Sequence, residues 1–231
     1  MQRISLPSIQ HVAKSIQPTI EGTVETLLRF DKGIPPFSYH TAWRLAYLLY
    51  SGKITLAAAL AACERINVEQ GAISNAEVAK IIWDDAENAE YFCHPLTGRR
   101  YAIRHDLAIP VRPRFYFVRN GSIQIFWLQP WKTFELNEEQ LGLLASVIKQ
   151  TFVVDDFAKA ELYMLDTSAR GPTKTRCPKV YGFSELPLLG DEGLKAVFDR
   201  FAAAYDIFVK IRPPKPERPG KKRDPRQGQL F

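Results

Sequence analysis

Residues 114–152 read RFYFVRNGSIQIFWLQPWKTFELNEEQLGLLASVIKQTF, and this stretch decides the fold class. Two apolar runs, Arg114–Val118 and Ser122–Trp127, meet at Asn120-Gly121. Asn-Gly accepts the positive φ of a two-residue hairpin turn at little cost, so an antiparallel hairpin is expected. Leu136-Asn137-Glu138-Glu139 then opens a helix to about Phe152, with Leu141, Leu144, Ala145 and Ile148 on one face. A further apolar strand is expected at Ala160–Leu165, and Asp191–Phe208 reads as an amphipathic helix through Leu194, Val197, Phe198, Phe201 and Tyr205.

Upstream the pattern is helical. Ile9, Val12, Ile16, Ile20, Val24, Leu27 and Leu28 recur at three- and four-residue spacing, with Pro18 and Gly22 dividing the run. Ser38 is read as the N-cap of a helix to Tyr50, and Thr55 as the cap of an Ala-rich helix to about Ile66. Ser74-Asn75-Ala76-Glu77 has the form of a capping box opening a fourth helix. Tyr91–Ile103 reads as a strand pair turned at Pro95-Leu96-Thr97-Gly98, and Ser168–Pro178 as a polar basic loop. The expected fold is α+β: a helical region over 1–90, a small mixed sheet flanked by helices over 91–212 packed with it as one body, and a disordered basic tail over 213–231.

The composition agrees with a globular body. Apolar residues are 46% and charged residues 24% of 231, and a chain of this length buries roughly 70% of its unfolded surface without a staple. Cys63, Cys93 and Cys177 form no CxxC pair, which fits a reducing compartment and gives no metal motif. No apolar run reaches the roughly 18 residues of a membrane span, and the first ten residues lack a signal-peptide core. A cytoplasmic protein with no membrane partner, cofactor or metal is expected. The net charge is +6, and seven bases against two acids from Arg212 to Phe231 account for nearly all of it. The rest of the chain is close to neutral, so a basic arm is favoured over a basic body. That arm holds five prolines and two glycines and has too little apolar surface to offset its chain entropy.

No GxSxG, P-loop or GxGxxG motif is present, and the four histidines form no ligand set. His105-Asp106 stands as an isolated dipeptide. No catalytic residue is assigned. Two basic clusters are candidate phosphate contacts: Arg170, Lys174 and Arg176 in the Gly/Pro loop, and Lys221, Lys222 and Arg223 in the tail. The aromatic richness of Phe115–Phe134 reads as a packed sheet rather than a base-stacking platform.

Gln227-Gly228-Gln229-Leu230-Phe231 resembles the bacterial sliding-clamp-binding pentapeptide: Gln, two variable residues, Leu, then Phe or Leu. The resemblance implies that Leu230 and Phe231 anchor in a pocket of the clamp and that Gln227 orients them. It makes the clamp and DNA the expected partners, and an accessory role in DNA replication or repair the expected function. A second resemblance covers residues 99–166, which are similar to the core of the PD-(D/E)xK nuclease superfamily in its RecB-like form. Asp106 precedes the hairpin, Trp131-Lys132-Thr133 follows its second strand, Gln140-Leu141 lies in the helix, and Ala160–Leu165 is the next strand. The family places two acids on a divalent metal, with the lysine beside the phosphate. Here Gln129 and Pro130 stand where the second acid belongs, and neither is an anionic ligand. The alternatives to a clamp-recruited accessory factor are therefore such a nuclease, active or degenerate, and a non-enzymatic subunit of a larger assembly.

Overall fold

A computed structural model describes residues 8–32, 37–87, 91–133, 136–170, 172 and 175–212. Lys174, the tail cluster Lys221, Lys222 and Arg223, and the pentapeptide residues Gln227, Leu230 and Phe231 lie outside the described residues, as does the expectation of a disordered tail. The architecture is α+β, with seven helices and a small mixed sheet among the described residues. Helices α1 (Ile9–Ser15), α2 (Ile20–Lys32), α3 (His40–Tyr50), α4 (Leu56–Glu64) and α5 (Glu69–Ala86) precede the strands. Then come β1 (Phe92–Pro95), β2 (Arg99–Arg104), β3 (Leu107–Val111), β4 (Phe115–Arg119) and β5 (Ser122–Gln129). Helix α6 (Glu138–Phe152) leads to β6 (Glu161–Asp166), the short β7 (Ala169–Arg170), β8 (Thr175–Arg176) and β9 (Lys179–Tyr181), and α7 (Asp191–Ile211).

The main sheet has the order β1-β4-β5-β6-β9. Asn120 and Gly121 take φ of 51° and 75°, and close the β4–β5 hairpin as their side chains allow. The β5–α6–β6 crossover makes β5 and β6 parallel, from Gln124↔Glu161 to Gln129↔Asp166. Helix α6 starts as read: Asn137 and Gln140 cap one another reciprocally, each side chain accepting the other's backbone N–H.

Strand β5 is covered on both faces, and its side chains alternate between two cores. Ile125 and Trp127 join α1, α6 and α7 on one side, while Phe126 and Leu128 join α3, α4 and α5 on the other. The N-terminal helices thus divide between the two faces of one sheet. Among the described residues no helix is long and apolar enough to cross a membrane.

Four local readings need correction. Strands β1 and β2 exist but do not pair with each other. β1 joins β4 (Phe92↔Val118 to Pro95↔Phe115), the Leu96 N–H continues onto the Arg114 carbonyl, and the chain then leaves the sheet. β2 pairs instead with β3, a strand the sequence concealed behind Pro110 and Pro113. A two-stranded ribbon tolerates Pro110 because its missing N–H falls on an unpaired edge. Ser74 does not cap a helix; α5 has already begun at Glu69, and Ser74 is buried within it. Tyr39, not Ser38, precedes α3, with no side-chain cap, whereas Thr55 does cap α4 by accepting the Ala58 N–H. The basic loop also carries the two-residue pairing β7–β8, which turns its arginines toward the body.

Candidate functional site

Beyond the carboxyl end of β5 lies a cleft of about 760 Å³. In sheets with parallel strands this end is where the chain diverges and ligands sit. Helix α1 supplies His11 and Lys14 at i, i+3, on the side opposite the buried Ile9, Val12 and Ala13. The last turn of α2 supplies Arg29 and Phe30, and the entry to α3 supplies Phe37, Tyr39 and, one turn on, Trp43. The segment after β5 supplies Trp131 and Lys132.

Buried polar contacts hold these elements together. The Gln10 amide on α1 donates to Gln129 Oε1 at the end of β5 (2.7 Å). Gln140 of α6 donates to the Ile16 carbonyl, fixing the other end of α1 (3.3 Å). Asn75 of α5 accepts the Ala42 N–H (2.9 Å) and donates to the Ser38 and Gly71 carbonyls, pinning the start of α3. Arg176 organises the floor. Its guanidinium donates to Glu77 (2.8 Å), to the Pro130 and Thr167 carbonyls (2.9 and 2.8 Å) and to the Tyr39 hydroxyl (3.1 Å), with its side chain only 5% exposed. The Lys132 ammonium donates to the same Glu77 (3.1 Å). Burial opposes the charge on Glu77, but the hydrogen bonds from Arg176 and Lys132 outweigh it and hold the carboxyl below its ordinary range.

The walls are cationic and aromatic. Lys14 Nζ lies 4.3 Å from the Trp131 ring centroid, and the His11 ring meets Trp131 edge-on at 5.4 Å. Burial lowers the Lys14 ammonium to a pKa of about 8. Crowding and then the Lys14 charge hold the His11 imidazole below its usual value, although the residue keeps an exposed face. None of the described lining residues is a carboxylate; Glu77 is linked to the cleft through Lys132 and through Arg176.

The sequence candidates fall elsewhere or are already engaged. Arg170 donates to Asp166 and to the Tyr181 hydroxyl (2.9 Å each). Arg176 stabilises the cleft floor from beneath rather than presenting itself to solvent. Asp106 pairs with Arg104, which grips Asp206 of α7 with both terminal nitrogens (2.7 Å each). Lys132 belongs to the separate Glu77–Arg176 group, and no hydrogen bond or ion pair among the described residues joins it to Asp106. Gln129 is fully buried and used by Gln10. Among the described residues no three His, Cys, Asp or Glu side chains are placed to share a metal.

Comparison with protein-family models, curated proteins and solved structures finds no match to this chain. The functional reading therefore rests on the residues themselves. Sequence reasoning missed the cleft because its described walls come from five separated segments, Gln70 and Ser74 of α5 included. The available signal was Trp131-Lys132 directly after a strand, combined with His11 and Lys14 on the polar side of α1.

Proposed function

We propose that the chain is an accessory factor of bacterial DNA replication or repair. It binds nucleic acid in the cleft at the end of β5 and is recruited to the sliding clamp through Gln227, Leu230 and Phe231. The observation that carries the reading is the cleft itself: Lys14, Arg29 and Lys132 interleaved with half-buried aromatic rings, with no carboxylate among the described lining residues. Cations attract phosphate and ring faces accept bases, and the two together are the composition of a nucleic-acid groove. The pentapeptide supplies the recruitment half of the proposal through its resemblance to clamp ligands.

The test is binding of the full-length chain to the clamp by surface plasmon resonance. A dissociation constant near micromolar, about −8 kcal/mol, is expected. Burying a Leu and a Phe contributes roughly 1.5–3 kcal/mol each, so the Leu230→Ala/Phe231→Ala double variant is expected to lose detectable binding. Clamp binding unchanged in that variant rejects the recruitment.

The alternative is a nuclease of the PD-(D/E)xK type. The succession β4, β5, α6, β6 follows the order implied by that resemblance, and this supports it. Lys132 pairs with Glu77 of α5 rather than with an acid on β5, and this weighs against it. Magnesium-dependent DNA cleavage abolished by both Asp106→Ala and Lys132→Ala would favour the nuclease.

A further inference from the structure

We infer that the cleft receives an unpaired nucleotide of single-stranded nucleic acid, its base against Trp131 and its phosphates among Lys14, Arg29 and Lys132. This rests on the nucleic-acid reading above and gives it a strand class.

The first argument is shape. A duplex keeps its bases stacked inside and shows a protein only their edges, which are read by an element that protrudes into a groove. Here the rings line a cleft between helices and the end of a sheet. Only a base splayed out of a strand can reach a ring face there.

The second argument is the state of the aromatic residues. Phe37, Tyr39 and Trp131 remain half-buried although both cores on either side of the sheet are filled with fully buried side chains. Phe37 and Tyr39 meet edge to face at 5.3 Å, and Trp131 is braced edge-on by His11. These rings are held in place yet retain accessible surface, which a stacking partner requires.

The third argument is charge placement. Lys14 covers one face of the Trp131 ring, and Lys132 follows Trp131 directly in sequence, so cations lie beside the ring that would carry the base on its other face. Phosphates flank every base of a strand, so cations at this position meet them without any requirement on sequence.

The experiment uses the full-length chain, a labelled oligo-dT of about a dozen nucleotides, the same strand annealed to its complement, and dTMP, with anisotropy and competition as readouts. The single strand is expected to bind at least tenfold more tightly than either the duplex or dTMP. Trp131→Ala is expected to weaken it by roughly 5- to 150-fold, the fold-change of one lost stacking contact. Lys14→Gln/Lys132→Gln is expected to flatten the plot of log affinity against log salt by about 1.4, or about 0.7 for each cation on a single strand. Far-UV circular dichroism identifies folded variants, and Arg29→Gln, at an exposed position, is the substitute where the double variant is unfolded. Equal or tighter duplex binding overturns the inference, as does dTMP binding as tightly as the oligonucleotide. Strand binding indifferent to Trp131 and to the cations overturns it too. Clamp binding is measured on the same preparations. Its loss with strand binding intact rejects the recruitment alone; its persistence while neither strand nor duplex binds rejects the nucleic-acid reading of the cleft and the inference with it, whereas duplex binding without preference for the single strand rejects the inference alone.

Discussion

Two of the carboxylates on helix α5, Glu77 and Asp85, lie eight residues and so about 12 Å apart along its axis. Their surroundings differ completely. Glu77 is held by two cations, Arg176 and Lys132, at the edge of an open cleft. Asp85 is held by hydroxyls: Tyr50 and Tyr163 both donate to its carboxylate, and Tyr91 donates to its backbone carbonyl. Burial and then the Asp85 charge push the Tyr50 hydroxyl well above its ordinary pKa, and Tyr163 rises for the same reasons, so both remain protonated donors. Around Asp85 the rings of Tyr50, Phe117, Phe126 and Tyr163 pack against one another. Around Glu77 the rings face a cavity. Similar residue types therefore make a closed structural cluster near the end of the helix and border an open cleft at its middle. The difference lies in whether the rings meet each other or open space.

The largest expected effect is at the closed cluster. Asp85→Ala strands two buried hydroxyls and is expected to cost about 2–4 kcal/mol in urea unfolding, with strand affinity unchanged in the folded variant. Tyr163→Phe removes one donor only and is expected to cost about 0.5–1.5 kcal/mol. A loss of strand binding in either variant would erase the contrast between the two surroundings.

Glu77→Gln comes next, at about 1–3 kcal/mol, because Arg176 is almost fully enclosed and keeps its other acceptors. Glu77 also has a signature in pH. Its folded pKa lies below the unfolded value of about 4.3, so its stabilisation is complete above that value and disappears as pH falls through the folded one. The wild type is expected to lose stability below about pH 5 more steeply than the Glu77→Gln variant. Parallel slopes would contradict the assigned pairing.

Lys14→Gln is expected to weaken strand binding in a variant that still folds, the reverse of the Asp85 result, with anisotropy and circular dichroism read on one preparation. The smallest effect, about 0.3–0.5 kcal/mol, is expected from Lys195→Ala, which breaks an exposed i, i+4 pair with Asp199 on α7 and serves as the baseline for a surface charge.

The contrast between the two surroundings was only partly legible in the sequence. Local signals survived: Asn120-Gly121 made its hairpin and Leu136–Glu139 opened its helix, because both depend on residues within one turn. Ser74 misled because a Ser and a Glu three apart also occur inside a helix, where nothing local marks that the helix began five residues earlier. β3 was hidden by prolines that only an unpaired edge forgives. Arg170 and Arg176 looked like solvent-facing bases, since a loop's composition does not say which way its side chains turn. That direction is set by Asp166 at the end of β6 and Glu77 on α5. The cleft itself depends on five segments converging, and no single window contains them.

The central claim is that ligand meets the protein at the end of β5 rather than at the basic loop. Ultraviolet cross-linking of the full-length chain to an oligonucleotide carrying 4-thiothymidine, followed by peptide mass spectrometry, tests it directly. The account predicts adducts on Trp131, Tyr39 or Phe37, suppressed by excess unlabelled single strand but not by duplex. Adducts confined to the loop around Arg170 and Arg176, with none on the cleft rings, would contradict it.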